Sequence, residues 1–347
     1  MFIHVLAKFM TLISAICNKK GGAIVADNMI SFDQKIKSKG ISSTGQIFRF
    51  DKSDTAFKIC KISDNCILSF AGDVAIGKKV IEKLKKIERY NQISIEEILK
   101  KISVSNNQNV SFLICFYDNN ECKLLKWQIQ KPLKFDYGNY FSLGSGTSIL
   151  ADINPDLIDE LLESEANFEK KGAALSFYYN QKLIHKSGNE LSKIGVGGCF
   201  FSFSLDENGV KPQKDTVILK GEINKRNNQI HFPLIKQAYR RGLFFINSTV
   251  SGDKKLLIND QNCNSDLLDC LSKFGINALE QNGFDLLEIW DLKNVENIEI
   301  HFEYNNIPSH FQNCKPGEFL KFGENRKDVV FDKKLEVLVN DLLSNAR

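Results

Sequence analysis

Three side chains in the first sixty residues could act together: Thr11 at the head of one apolar run, Asp27 at the end of the next, and Lys58 within a third. A threonine hydroxyl is a poor nucleophile at neutral pH and needs a base close by. The free α-amine of an N-terminal threonine, with a pKa of about 7.7 to 8.0, can be that base, so nucleophile and base would belong to one residue. A lysine near the hydroxyl lowers the electrostatic cost of the alkoxide, and a carboxylate such as Asp27 can keep that lysine charged and oriented.

Taken singly, each residue has a plainer reading. Thr11 is a good β-former, Asp27 beside Asn28 suits a turn, and Lys58 alternates with apolar neighbours as a solvent-facing strand residue does. Gly72 to Lys79 comes close to the phosphate-cradling G-x-x-x-x-G-K-[ST] loop, but Lys79 stands where the magnesium-binding hydroxyl belongs and Asp73 would face the phosphates. The five histidines form no metal-binding pair, and the serine-hydrolase motifs are missing around Ser145. Lys236 to Arg241 holds three cations in six residues, which suits a solvated face.

The elements that must position these groups follow from periodicity. Thr11 to Ile16 and Ala23 to Ala26, joined by Lys19-Lys20-Gly21-Gly22, predict a β-hairpin. Strands are expected over 57–62 and 66–70, after a polar insertion or flap from Ser31 to Thr55. Val80, Ile81, Leu84 and Ile87 recur at helical spacing, and Ser94 is expected to N-cap a second helix. Strands over 110–117, 124–129 and 140–143 precede helices from Asn154-Pro155 to Leu162 and from Phe168 to Leu183. A final strand is expected over 199–205, with a turn at Asp206 to Gly209. Strands, two helices, strands, two helices, strands is an order that suits two sheets covered by helix layers. From Thr216 a mixed α/β region follows, ending in an amphipathic helix over Leu335 to Leu343.

Size and composition bound the possibilities. With 347 residues, 43% of them hydrophobic and 25% charged, the chain should fold around a real core and divide into two domains. Its 46 basic and 42 acidic residues leave a net charge of +4, too little to suggest nucleic-acid binding. Nine cysteines without a C-x-x-C pair argue against a zinc site, and several lie in apolar runs where a free thiol acts as a small hydrophobe. No cofactor or metal is expected, and a reducing cytoplasm is. The apolar N-terminus lacks a basic leader and is interrupted by His4 and Lys8, which argues against export; no membrane span is expected.

Three segments together resemble the catalytic β-subunits of proteasomes and their bacterial relatives, the N-terminal-nucleophile hydrolases, over about residues 11–209. The first is Thr11-Leu-Ile-Ser-Ala-Ile followed by Gly22-Ala-Ile-Val-Ala-Asp27-Asn28, with sixteen positions between Thr11 and Asp27. The second runs from Lys58 to Ala71-Gly72-Asp73. The third is Gly144-Ser145-Gly146. The resemblance implies an α+β fold, a four-layer α-β-β-α sandwich over 11–215; residues 216–347, which share no such resemblance, form an additional C-terminal mixed α/β region. It implies catalytic roles for Thr11, Asp27, Lys58 and Ser145, an oxyanion-binding amide at Gly72, and substrate contacts from Ile30, Ser31 and Phe70.

The expected activity is that of a threonine peptidase working through an acyl-enzyme on Thr11. Residues 1–10 would be a leader, or translation would begin at Met10. A peptide or unfolded-protein substrate, a homo-oligomeric ring and an ATP-dependent unfoldase partner are implied by the same resemblance. A catalytically inactive ring scaffold or binding module, and an amidase acting on a small molecule, are the alternatives. Two features depart from the family. The 47 positions from Thr11 to Lys58 exceed the usual spacing, and Glu190 does not take the place of the aspartate that proteasomes carry before their S-G-G turn.

Overall fold

The computed structural model describes residues 11–27, 58–72, 74–88, 90–103, 110–128, 134–147, 155–185 and 200–214, with two short strands at 40–41 and 47–48 and the strand backbone between 216 and 331. The chain is mixed α+β and divides into two compact units. The change from the first to the second falls between Gln213 and Lys214, and residues 43–47 group with the second.

In the first unit, β1 (Ile13–Asn18) and β2 (Gly21–Asp27) form the expected hairpin around the exposed Lys19-Lys20 turn. The two short strands, β3 (Gly40–Ile41) and β4 (Ile47–Phe48), pair with each other inside the 31–55 segment. The next elements are β5 (Ile59–Ser63), β6 (Cys66–Ala71), helices α1 (Val74–Leu84) and α2 (Gln92–Ser103), β7 (Ser111–Asp118), β8 (Glu121–Gln128), β9 (Phe135–Tyr137) and β10 (Tyr140–Leu143). Helices α3 (Pro155–Glu163) and α4 (Phe168–His185) precede the hairpin of β11 (Phe200–Asp206) and β12 (Gly209–Pro212).

These strands make two five-stranded antiparallel sheets, ordered β10-β1-β2-β11-β12 and β5-β6-β7-β8-β9. Every residue of β2 is buried, so both faces of its sheet are covered and its sequence reads as a continuous apolar run rather than an alternation. The period of two still sorts the side chains. Ile13, Ala15, Cys17, Ile24 and Ala26 share one core with Ile67, Leu113, Cys115 and Leu124 of the other sheet. Ala23 and Ser202 point the other way, where Gly172 of α4 packs close enough that a Cβ there would lie 3.1 and 3.0 Å from their side chains. A second core joins Leu68, Phe112, Ile114 and Trp127 to Val80 and Leu84 of α1 and Ile95 and Leu99 of α2.

Helix ends follow their capping chemistry, with one correction. Asn91, not Ser94, caps α2: its Oδ1 accepts from the Ser94 backbone amide and hydroxyl, both at 2.9 Å, so Ser94 lies within the first turn. Pro155 takes the first position of α3, where its missing N–H costs nothing.

The second unit holds an eight-stranded sheet. Its strands are β13 (Thr216–Asn224), β14 (Gln229–Arg240), β15 (Leu243–Ser248), β16 (Lys254–Ile258), β17 (Leu286–Asp291), β18 (Glu296–His301), β19 (Leu320–Phe322) and β20 (Val329–Phe331). The main path is β16-β15-β14-β13-β17-β18, with β13 and β17 parallel and the remaining neighbours antiparallel. Lys236 to Arg240 fall in a central strand of this sheet. The helix expected over 335–343 lies outside the described residues. No helix among the described residues is long and apolar enough to cross a membrane.

Candidate active site

The three groups that could act together do meet. Antiparallel pairing of β1 and β2 sets Ile13 opposite Ala26, which places Asp27 beside the residue before β1. The Asp27 amide donates to the Leu12 carbonyl at 3.2 Å, and its Oδ1 accepts from the Leu12 amide at 2.9 Å. The Thr11 hydroxyl donates to the same Oδ1 at 2.8 Å. Lys58, just ahead of β5 in the other sheet, brings Nζ to 2.6 Å from Thr11 Oγ1 and to 2.9 Å from each Asp27 carboxylate oxygen. One hydroxyl oxygen therefore both donates a hydrogen bond to a carboxylate and accepts one from an ammonium.

Burial makes this geometry matter electrostatically. The Asp27 side chain is fully enclosed and that of Lys58 is only 12% exposed, so their attraction is little screened by water. Burial pushes the Lys58 ammonium below the ordinary lysine value, while the charge and hydrogen bonds of Asp27 pull it back up. Ser69, buried on β6, fixes the start of β5 by donating its hydroxyl to the Lys58 carbonyl at 2.6 Å.

A loop closes over the backbone of Thr11. The register of β10 sets Leu143 opposite Ile13, so the next three residues run alongside Thr11. Gly144 has φ of +104°, and a Cβ there would lie 1.9 Å from the Thr11 carbonyl oxygen, so a side chain is excluded by both strain and contact. That same oxygen accepts from the Gly146 amide at 3.3 Å. Ser145 lies between them, exposed in the turn.

The remaining expected residues divide. Gly72 sits in the bend between β6 and α1 with φ of +123°, a conformation open to glycine at little cost. Phe70 is half-buried, its ring against Gly77 of α1 and 5.8 Å from the Phe112 ring. Ile30, Ser31, Asn28 and Glu190 lie outside the described residues. The nucleotide-loop reading of Gly72 to Lys79 fails on geometry: α1 begins at Val74, so Gly77 is inside a helix with the Phe70 ring in place of a side chain.

Sequence reasoning missed the support behind this site. Ser14 Oγ donates to Ser142 Oγ at 3.0 Å, Tyr179 of α4 places its hydroxyl 2.5 Å from Ser14 Oγ, and Ser142 donates to the Ile13 carbonyl at 3.2 Å. This polar network ties β1, β10 and α4 together directly behind Thr11. Its only trace in the sequence is a serine inside an apolar strand.

A scan of family models finds no match to this chain, and a search of curated proteins finds none either.

Proposed function

We propose that the chain is an N-terminal-threonine hydrolase of the proteasome-like type, cleaving peptide bonds through an acyl-enzyme on Thr11 once its α-amine is exposed. One observation above all supports this reading: Lys58 Nζ and Asp27 Oδ1 lie 2.6 and 2.8 Å from the same Thr11 hydroxyl oxygen, out of bulk water. The described elements are compatible with a four-layer α-β-β-α sandwich, which we take as the fold of residues 11–215.

The roles follow from what each group can still do. Asp27 is occupied by an ion pair and two hydrogen-bond donors, so it orients rather than accepts the proton. The freed α-amine takes the hydroxyl proton as Oγ1 attacks the scissile carbonyl carbon, and the Lys58 charge steadies the developing alkoxide. The Gly72 amide is assigned to the tetrahedral oxyanion. Collapse breaks the C–N bond, the ammonium returns its proton to the leaving amine, and an ester on Thr11 remains. Water then attacks the ester, its proton passing to the α-amine; the C–Oγ1 bond breaks, Oγ1 takes that proton back from the ammonium, and the acid leaves. Ser145, within the loop that holds the Thr11 carbonyl, is assigned to positioning the amine and this water.

Intact mass and N-terminal sequencing of the untagged full-length protein, with and without a peptide ester, test the proposal. The expected result is a chain beginning at Thr11 that acquires one acyl group, with no adduct in Thr11→Ala and a kcat at least about 100-fold lower in Lys58→Ala. A chain beginning at Met1 that takes no adduct, together with an inactive protein translated from Met10, would exclude it.

A further inference from the structure

Away from Thr11, three thiols from distant parts of the sequence converge between the two sheets of the first unit. Cys17 comes from β1, while Cys115 and Cys122 come from the facing hairpin of β7 and β8. All three are buried and reduced. Their Sγ atoms lie within 4.8 Å of one another, with Cys115 and Cys122 3.3 Å apart. Gly22 makes room for this approach, because a Cβ there would come within 2.3 Å of Cys115 Sγ.

From this cluster we infer that Cys17, Cys115 and Cys122 form a binding site for a soft monovalent metal ion, copper(I), held by three sulfurs. Thiolate donors select soft ions, and coordination number selects among those ions. An ion equidistant from three sulfurs at about 2.3 Å in a trigonal plane needs sulfurs about 4.0 Å apart, so the Cys115–Cys122 pair, at 3.3 Å, would open by about 0.7 Å on binding. Among the described residues no histidine, aspartate or glutamate joins the three. That donor set suits a three-coordinate ion rather than structural zinc, which is closed by four ligands. Each thiol that ligates releases its proton to solvent, so no oxidant or reductant is needed.

The position of the cluster provides a way in. Cys17 is two residues from the exposed Lys19-Lys20 turn, and Cys122 is two residues from the Asn119-Asn120 turn. Contacts between the sheets at this end include the Lys19–Glu121 ion pair at 2.9 Å, the Cys122 amide donating to the Lys19 carbonyl at 2.9 Å, and the Tyr117 hydroxyl donating to the Lys20 carbonyl. The ion pair, 82% and 47% exposed, is weak, so it adds little to the cost of separating the two turns. A bound ion would bridge the two sheets and stabilise the native state by linkage. None of this depends on the peptidase reading.

The test uses the full-length chain, reduced and kept free of oxygen, titrated with copper(I) as its acetonitrile complex against a chromophoric copper(I) chelator. One ion per chain should be withheld from the chelator, X-ray absorption should give three sulfurs at about 2.3 Å, and the thermal midpoint should rise. Cys17→Ala and Cys122→Ala, which remove a ligand from opposite sheets, should each weaken binding by at least about 100-fold. Cys60→Ala and a protein lacking Cys199, Cys263, Cys270 and Cys314 should bind as the wild type does. Circular dichroism of the metal-free variants identifies any that fail to fold, in which case the variant on the other sheet decides. No retention by the wild type, undiminished retention in the cluster variants, or fewer than three sulfurs around the ion would each overturn the assignment.

Discussion

Lys58 and Asp27 hold each other in place, and the consequences differ for stability and for chemistry. Asp27→Asn keeps the shape but leaves the Lys58 ammonium buried without its carboxylate, which should cost about 3 kcal/mol in a urea titration. A second prediction concerns pH. Because burial holds the folded Lys58 below the ordinary lysine value of 10.5, there is a window below 10.5 in which the unfolded chain retains a proton that the folded chain has released. Stability contributed by this group therefore rises with pH across that window, and the charge-burial penalty is fully present below it. Unfolding free energies measured from neutral pH up to about 10.5 should thus shift in favour of the wild type relative to Lys58→Met as pH rises. A difference that stays flat would mean that the ammonium is as well solvated folded as unfolded.

At the scale of elements, the site depends on where three strands end. Thr11 precedes β1, Asp27 closes β2, and the loop after β10 crosses the Thr11 backbone, so a shift of one residue in either pairing would separate them. Gly144 is the position least able to change. Gly144→Ala combines an unfavourable positive φ with a backbone contact that a flexible side chain cannot relieve. It should destabilise the protein by about 2 kcal/mol or more and, on the proposed mechanism, remove ester turnover together with Thr11 acylation. Near-normal turnover in a folded Gly144→Ala protein would show that this loop does not position Thr11. Much of this level is legible in the sequence, because β1 and β2 are short apolar runs joined by a Lys-Lys-Gly-Gly turn and the first two helices carry clear hydrophobic periods. The cap of α2 was misplaced by three residues because Asn91 and Ser94 are both good capping types, and only the geometry of their hydrogen bonds distinguishes them.

At the scale of the whole molecule, the chain divides into two compact units. The first contains both hydrophobic cores described above and the whole candidate site. In the second, local sequence supports only a mixed α/β region from Thr216, because the β13–β17 parallel pairing links residues about seventy positions apart and leaves no local signal. Ring assembly, which the peptidase proposal carries with it, predicts a particle mass in light scattering that is a multiple of the chain beginning at Thr11, slightly below the 39.4 kDa of all 347 residues, and independent of concentration over the working range. A stable mass of a single chain would remove the ring from the proposal while leaving the Thr11 chemistry to be judged on its own.

The sequence alone determined the local elements and the chemical types of Thr11, Asp27 and Lys58, because residue period and side-chain chemistry are properties of short segments. It could also order these residues along the chain through a resemblance. It could not bring them within 3 Å of one another, since that depends on the register of β1 with β2 and on the way β5 of one sheet faces the end of the other. The same limit hid the Ser14–Ser142–Tyr179 network and the Cys17–Cys115–Cys122 cluster. Their members are far apart in sequence and have ordinary roles one at a time; the network needs β1 paired with β10 and covered by α4, and the cluster needs the two sheets packed face to face.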